Sequence, residues 1–229
     1  MGRRFIDLSH PVRDGMVTCP GLPAPRIGEH LSRAAAEAVY GPGVTFQIGT
    51  IDLCSNTGTS LDTPAHRFAD GHDLSGLPLA RVADVPAICV VRPDTPVIDL
   101  ARLGELDLQG CAILVRTDHS RHFGTPRYFE DHPRLSVATA EALVRADVAC
   151  VGIDSLNVDA IEGDDADGRP VHTILLRAGI PIIEHLTNLA ALPRGGFRFT
   201  AVPPAIEGLG TFPVRAFATI EDGRHLSEP

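Results

Sequence analysis

Three short apolar runs constrain this chain more than any other feature: Ala87-Ile88-Cys89-Val90-Val91, Ala112-Ile113-Leu114-Val115 and Val148-Ala149-Cys150-Val151-Gly152-Ile153. Each is shorter than a typical helix and lacks the polar alternation of a half-solvated strand. Each therefore reads as a strand buried on both faces, which requires covering layers on either side. Ser136 suits the N-cap of a helix from Val137 to Arg145. His172 to Arg177 reads as another helix, ended by Ala178-Gly179 with Gly179 in the left-handed C-cap position. A strand at Ile180–Ile183 follows, and Phe197–Val202 and Val214–Ile220 read as closing strands. In the first half, Phe5–Leu8 is a short strand ending near His10-Pro11. Pro20, Pro23 and Pro25 exclude a regular element from residues 18–26. Leu31–Val39 is Ala-rich and reads as a helix stopped by Gly41-Pro42-Gly43, and Val44–Leu53 as a strand. The pattern is mixed α/β. The 22 glycines and 19 prolines are spread without linker, repeat or charge block, so residues 1–229 read as a single domain.

The 20 Lys and Arg against 29 Asp and Glu give a net charge of −9, which argues against nucleic acid as the main partner. No apolar run reaches the roughly 18 residues of a membrane helix. The start, Met1 to Asp7, lacks the apolar stretch of a signal peptide. The five cysteines (Cys19, Cys54, Cys89, Cys111, Cys150) form no CxxC pair, so neither a disulfide framework nor a Cys-based zinc site is favoured. The expectation is a cytoplasmic, reduced protein with a small-molecule substrate.

The densest group of chemically useful residues is Asn56 to His66, read as a loop after a strand. Asp62 and His66 offer a carboxylate and an imidazole. The plainer alternative is a turn in which Asp62 caps the backbone and His66 faces solvent. A second group is His172 with Glu184. A carboxylate ending a buried strand is costly unless paired, liganded or protonated, although Glu184 could also emerge into water. Ser60, Asp62 and His66 are triad residue types, but Gly58-Thr59-Ser60-Leu61-Asp62 lacks the second glycine of a nucleophile elbow. Asp118–Pro126 carries two histidines and an arginine and reads either as a substrate loop over the site or as a solvated loop. Phe46 and Phe68 are candidates for a pocket wall or for core. His10, His30, His72, His132 and His225 show no partner pattern and read as surface or locally bonded.

These residues carry a resemblance. The stretch Asn56–His66 is similar to the signature His-x-Gly-Thr-His-x-Asp-x-Pro-x-His of the cyclase-like family of metal-dependent amide and lactone hydrolases, which includes bacterial kynurenine formamidase and isatin hydrolase. Gly58, Thr59, Asp62, Pro64 and His66 match. The likeness extends to Ile6–Pro11, to Val151–Leu156 and to the His172–Glu184 pair. Asn56 and Ser60 depart from it, standing at the two early histidines. The resemblance implies the family's swivelling β/β/α-like fold, a barrel-like sheet core with outer helices, in a homodimer or homotetramer. It implies hydrolysis of a C–N bond in a small amide, of arylformamidase type, with His66 as acid/base. Asp62, His172 and Glu184 then remain as a three-ligand site for one divalent metal, zinc or manganese, with an open water position. The alternatives are a metal-free lyase, isomerase or cyclase using the same residues, and a non-catalytic small-molecule binding protein.

Overall fold

The computed structural model describes residues 2–92, 95–105, 107–161 and 168–221. In chain order the strands and α-helices are β1 (Arg3–Asp7), β2 (Arg26–Leu31), α1 (Arg33–Tyr40), β3 (Ile48–Asp52), β4 (Ser60–Asp62), β5 (Val85–Val91), β6 (Val97–Ile98), β7 (Ala112–Arg116), β8 (Arg134–Leu135), α2 (Val137–Arg145), β9 (Cys150–Ile153), α3 (Pro170–Arg177), β10 (Ile182–Glu184), β11 (Phe197–Thr200), β12 (Thr211–Pro213) and β13 (Phe217–Glu221). Nine strands make one sheet in the order β1-β13-β11-β5-β7-β9-β10-β4-β12. β5, β7, β9 and β10 run parallel to their neighbours in this group, and antiparallel strands flank them on both sides.

The sheet has to curl. β12 and β13 stand seven strands apart in that order, which would be about 34 Å if the sheet were flat. Only four residue steps join Pro213 to Phe217, a reach of at most about 14 Å. The two sides therefore close towards each other as a half-barrel.

Alternation along the central strands separates two cores. Ala112 and Leu114 join one apolar cluster with Leu61, Ile183 and Phe199. Ile113, Val115, Val151 and Ile153 join the other, where Leu143 of α2 and Leu175 and Leu176 of α3 cover the sheet. This is the double burial that the three apolar runs require. Gly152 is forced by packing: a Cβ there would lie 2.6 Å from Leu186 Cδ1 and 2.8 Å from Leu114 Cδ2. Ser136 caps α2, its side chain accepting from Thr139 N, and Gly179 has φ 71°.

Two sequence expectations need correction, and one strand had no expectation at all. Asn56–His66 is not all loop, because Ser60–Asp62 pairs with both β10 and β12 inside the main sheet. Its Gly, Thr and Ser content hid a strand that tertiary pairing stabilises. The strand expected over Val44–Leu53 is confined to Ile48–Asp52 and lies outside the main sheet, in a two-stranded ribbon with β2. β2 itself had no sequence signal, since Arg26 and Glu29-His30 do not alternate with apolar residues on a buried face.

Candidate active site

Strand register assembles the acidic half of the site. In the antiparallel pair of β4 and β10, Ser60 faces Glu184 and Asp62 faces Ile182. Residues two apart share a face, so Ser60, Asp62 and Glu184 all project to the helix-covered side. Asp62 is 2% exposed and Glu184 5%, so Glu184 does not emerge into solvent. Its Oε1 accepts from Val158 N at 2.9 Å. Ser60 is as buried as Asp62, at 2%.

His66 and His172 arrive from opposite sides. After β4 the chain makes a single 3-10 turn, Pro64–His66, and places a half-buried His66 at the cluster. Gly210 sets this turn. Its carbonyl accepts from Thr63 N at 2.7 Å and from Thr63 Oγ1 at 2.9 Å, and a Cβ on it would lie within 2.5 Å of Ala65 C and His66 Cα. His172 is fully buried in the first turn of α3. Asp159 holds both that ring and that helix end. Its Oδ2 accepts from His172 Nδ1 at 2.6 Å and from His172 N at 3.0 Å, and its Oδ1 accepts from Val171 N at 2.8 Å. With the Nδ1 proton committed to Asp159, Nε2 is the atom that faces the cluster.

That atom is 3.4 Å from Asp62 Oδ2 and 3.6 Å from Glu184 Oε1. One ligand atom from each of Asp62, His66 and His172 falls within 4.8 Å of the others, so the structure groups His66, expected as the acid/base, with two of the expected ligands, and the third expected ligand, Glu184, is not in that group. Around a tetrahedral cation with bonds near ~2.1 Å, donor atoms stand roughly 3.4 Å apart, so the spacing fits a divalent metal. Asp62 Oδ1, buried and without a hydrogen-bond partner among the described residues, points to the same chemistry.

The electrostatics are opposed in sign across the cluster. Burial pushes the Glu184 carboxyl up to about 7; the Asp62 charge adds to this, while His172 and Arg169 oppose it. Burial also lifts Asp62, but its contact with His172 and the His66 charge outweigh burial and hold it below the ordinary carboxylate range. Burial lowers His66, the Asp62 charge partly opposes this, and His172 and two arginines add to the lowering. His66 is therefore neutral at pH 7 and able to accept a proton. Burial disfavours charge on His172, and the Asp159, Asp62 and Glu184 carboxylates overcome it, to about 9.

Arg169 opposes that pull. Its guanidinium nitrogen lies 3.0 Å from His172 Nε2 and can only donate, so the contact is a hydrogen bond to the neutral ring, whose lone pair is then on Nε2, and it disfavours the imidazolium. Arg169 has φ 46° and ψ 64° and precedes Pro170. That conformation is strained for a bulky residue before proline and costs roughly 1–3 kcal/mol. Neither Arg169 nor Asp159 lies in a sequence motif: Arg169 stands three residues before His172 and Asp159 thirteen, and the local turn geometry is what aims both at the ring.

The Asp118–Pro126 segment is not simply solvated. His119 is buried, with Nε2 2.9 Å from Tyr128 O. Phe123 stacks on His10 at 3.7 Å, and Tyr128 OH is hydrogen-bonded to His185 Nδ1 at 2.9 Å. Burial drives His185 down to about 3, so its ring is neutral. A cleft of about 460 Å³ runs between Arg13–Val17 and Phe123–Phe129, and its Met16 lies against the Gly58 position of the signature stretch. Phe46 packs on Tyr40, and Phe68 lies under the Arg177 guanidinium at 3.6 Å. His132 is buried and locally bonded to Asp159 O; His225 lies outside the described residues. All five cysteines are free thiols, and no helix among the described residues is long and apolar enough to cross a membrane.

Comparison with known proteins agrees with this geometry. The Cyclase family model matches residues 6–160. A kynurenine formamidase from Salinibacter ruber is 28% identical over 172 residues, covering 75% of this chain and 79% of the relative. Isatin hydrolase A from Ralstonia solanacearum superposes with a TM-score of 0.77 at 23% identity, covering 96% of this chain and 92% of its own. A structure described as a predicted metal-dependent hydrolase from Bacillus stearothermophilus superposes with a TM-score of 0.74 at 23% identity, covering 96% and 100%. With its half-barrel sheet, its signature stretch on β4 and the turn after it, and a family match over more than half its length, this chain belongs to the cyclase family.

Proposed function

We propose that this chain hydrolyses the C–N bond of a small amide, of the arylformamide type, with His66 moving the proton. The observation that carries the reading is the buried set Asp62, His172 and Glu184 with a half-buried, neutral His66 beside it. The kynurenine formamidase relative supports the amide class. Hydrolysis needs water deprotonated at one atom and the carbonyl oxygen stabilised at another. When bound by Asp62, His172 and Glu184, a zinc or manganese ion supplies carbonyl polarisation and lowers the pKa of water. His66 accepts the proton of the attacking water and returns it to the amine that leaves. Asp62 opposes the burial of His66 and so favours the imidazolium at the moment it forms. Asp159 holds His172 in one tautomer, which keeps Nε2 turned to the carboxylates. The cleft beside Phe123 and Met16 has room for a small aryl group.

The Arg169 contact supports a second reading, acid–base chemistry by the same residues without a metal. Formate release from an N-formyl aromatic amine, followed with and without chelator, separates the two. His66→Ala is expected to lower kcat by about 10²–10⁴-fold while the variant still binds the substrate. Wild-type protein that binds the amide and never turns it over would make this a binding protein and end the proposal.

A further inference from the structure

Arg169 is placed with unusual firmness for a long cationic side chain beside a site of two carboxylates. Its carbonyl accepts from Thr173 N at 3.0 Å and from Thr173 Oγ1 at 2.8 Å. The preceding Gly168 carbonyl accepts from Arg67 at 3.1 Å, and Arg67 also donates to Thr173 Oγ1 at 3.2 Å. Arg67 is the residue after His66, so these bonds tie the turn that carries His66 to the entry of α3. They hold Arg169 in its left-handed conformation, where its guanidinium meets His172 Nε2 at 3.0 Å. The Arg169 charge reaches Glu184 and His66 as well.

An imidazole nitrogen has one lone pair. With Nδ1–H donating to Asp159 and the ring neutral, the Nε2 lone pair accepts either a guanidinium N–H or a metal ion, never both. The chain also has Asn56 and Ser60 where the signature has histidines, so the ligands that would draw a metal in are fewer. We infer that the Arg169 guanidinium is the resident cation of the Asp62–His172–Glu184 cluster and that a divalent metal loads only by displacing it from His172. The inference concerns which cation the cluster holds, and it stands whatever the substrate proves to be. It makes this a site where a fixed organic cation neutralises the buried carboxylates, with metal occupancy set by a competition inside the chain.

The test is titration calorimetry of zinc chloride alone into metal-stripped full-length protein, without substrate. Arg169→Met keeps the apolar stem and removes the charge and the donors. It is expected to bind one equivalent of zinc about tenfold or more tightly than wild type, because both the repulsion and the competing hydrogen bond are gone. Asp62→Asn in the Arg169→Met background is expected to abolish that binding, which assigns it to this cluster. Equal affinity of wild type and Arg169→Met, within about twofold, overturns the inference, and so does an Arg169→Met variant that folds and binds no zinc.

Wild-type protein gives a second readout that does not depend on a variant folding. In ¹⁵N NMR, zinc should shift the His172 ring nitrogens and the Arg169 guanidinium resonances together. Zinc that shifts His172 and leaves Arg169 unchanged also refutes displacement. Amide turnover is measured separately, so an active enzyme that fails this test loses only the role given to Arg169.

Discussion

Between pH 4 and pH 7 one buried carboxylate, Asp154, is expected to cost the folded chain about 2 kcal/mol of stability. Asp154 is 1% exposed at the end of β9. Its Oδ1 accepts from Thr117 N at 2.6 Å and Thr117 Oγ1 at 2.7 Å, and its Oδ2 accepts from Asp118 N at 3.0 Å. Burial raises its pKa from 3.8 to about 6; the three donors oppose this without overcoming it. The folded state therefore holds the proton more tightly than the unfolded chain does. The benefit is present below the unfolded pKa and is lost as pH rises through the folded one. With pKa values of 3.8 and about 6, the loss is small at pH 4 and close to its full value by pH 7.

The assay is urea unfolding at both pH values, followed by circular dichroism because the chain has no tryptophan. Asp154→Asn removes the titration and keeps an oxygen for Thr117, while its amide opposes Asp118 N–H and costs about 1–3 kcal/mol at every pH. Subtracting the variant's pH dependence from that of wild type cancels every other titrating group. The expected difference is about 2 kcal/mol, with wild type losing more as pH rises. Equal pH dependence in the two proteins would refute the argument, and a difference of opposite sign would mean that the donors outweigh burial.

Two further outcomes test the architecture. Gly210→Ala forces a Cβ against the Ala65–His66 backbone, so it is expected to lower turnover by about 10²-fold through displacement of His66, measured as kcat on the amide alongside the Tm. The β2–α1–β3 segment exposes Ile27, Val39, Tyr40, Ile48 and Ile51, between 46% and 73% each, and we propose that the homodimer or homotetramer implied by the family resemblance covers them. Light scattering should give a multiple of 24.4 kDa at micromolar concentration, shifted towards the monomer by Ile51→Asp; a monomeric wild type would refute it.

The sequence by itself determined the parts of this protein whose physics is local. The three apolar runs are strands because nothing but a doubly covered sheet suits them, and they became β5, β7 and β9. Ser136 and Gly179 bound their helices through their own backbone chemistry. The candidate residues are legible too: Asp62 and His66 in the signature stretch, and His172 and Glu184 as the later His–Glu pair of the same resemblance, with Glu184 also marked as a carboxylate ending an apolar run. Tertiary structure decided what these residues do to one another. Ser60–Asp62 is a strand only because β10 and β12 supply its hydrogen-bond partners, and that pairing turns Asp62 to the face of Glu184. Asp159 and Arg169 look like ordinary charged residues in sequence. They reach His172 from a segment after β9 and from the residue before α3, and they set its tautomer and its competing cation through contacts of 2.6 and 3.0 Å. Arg169 stands only three residues before His172 and Asp159 thirteen, yet both contacts depend on the left-handed turn at Arg169 and on how the chain folds back after β9, which residue pattern does not encode.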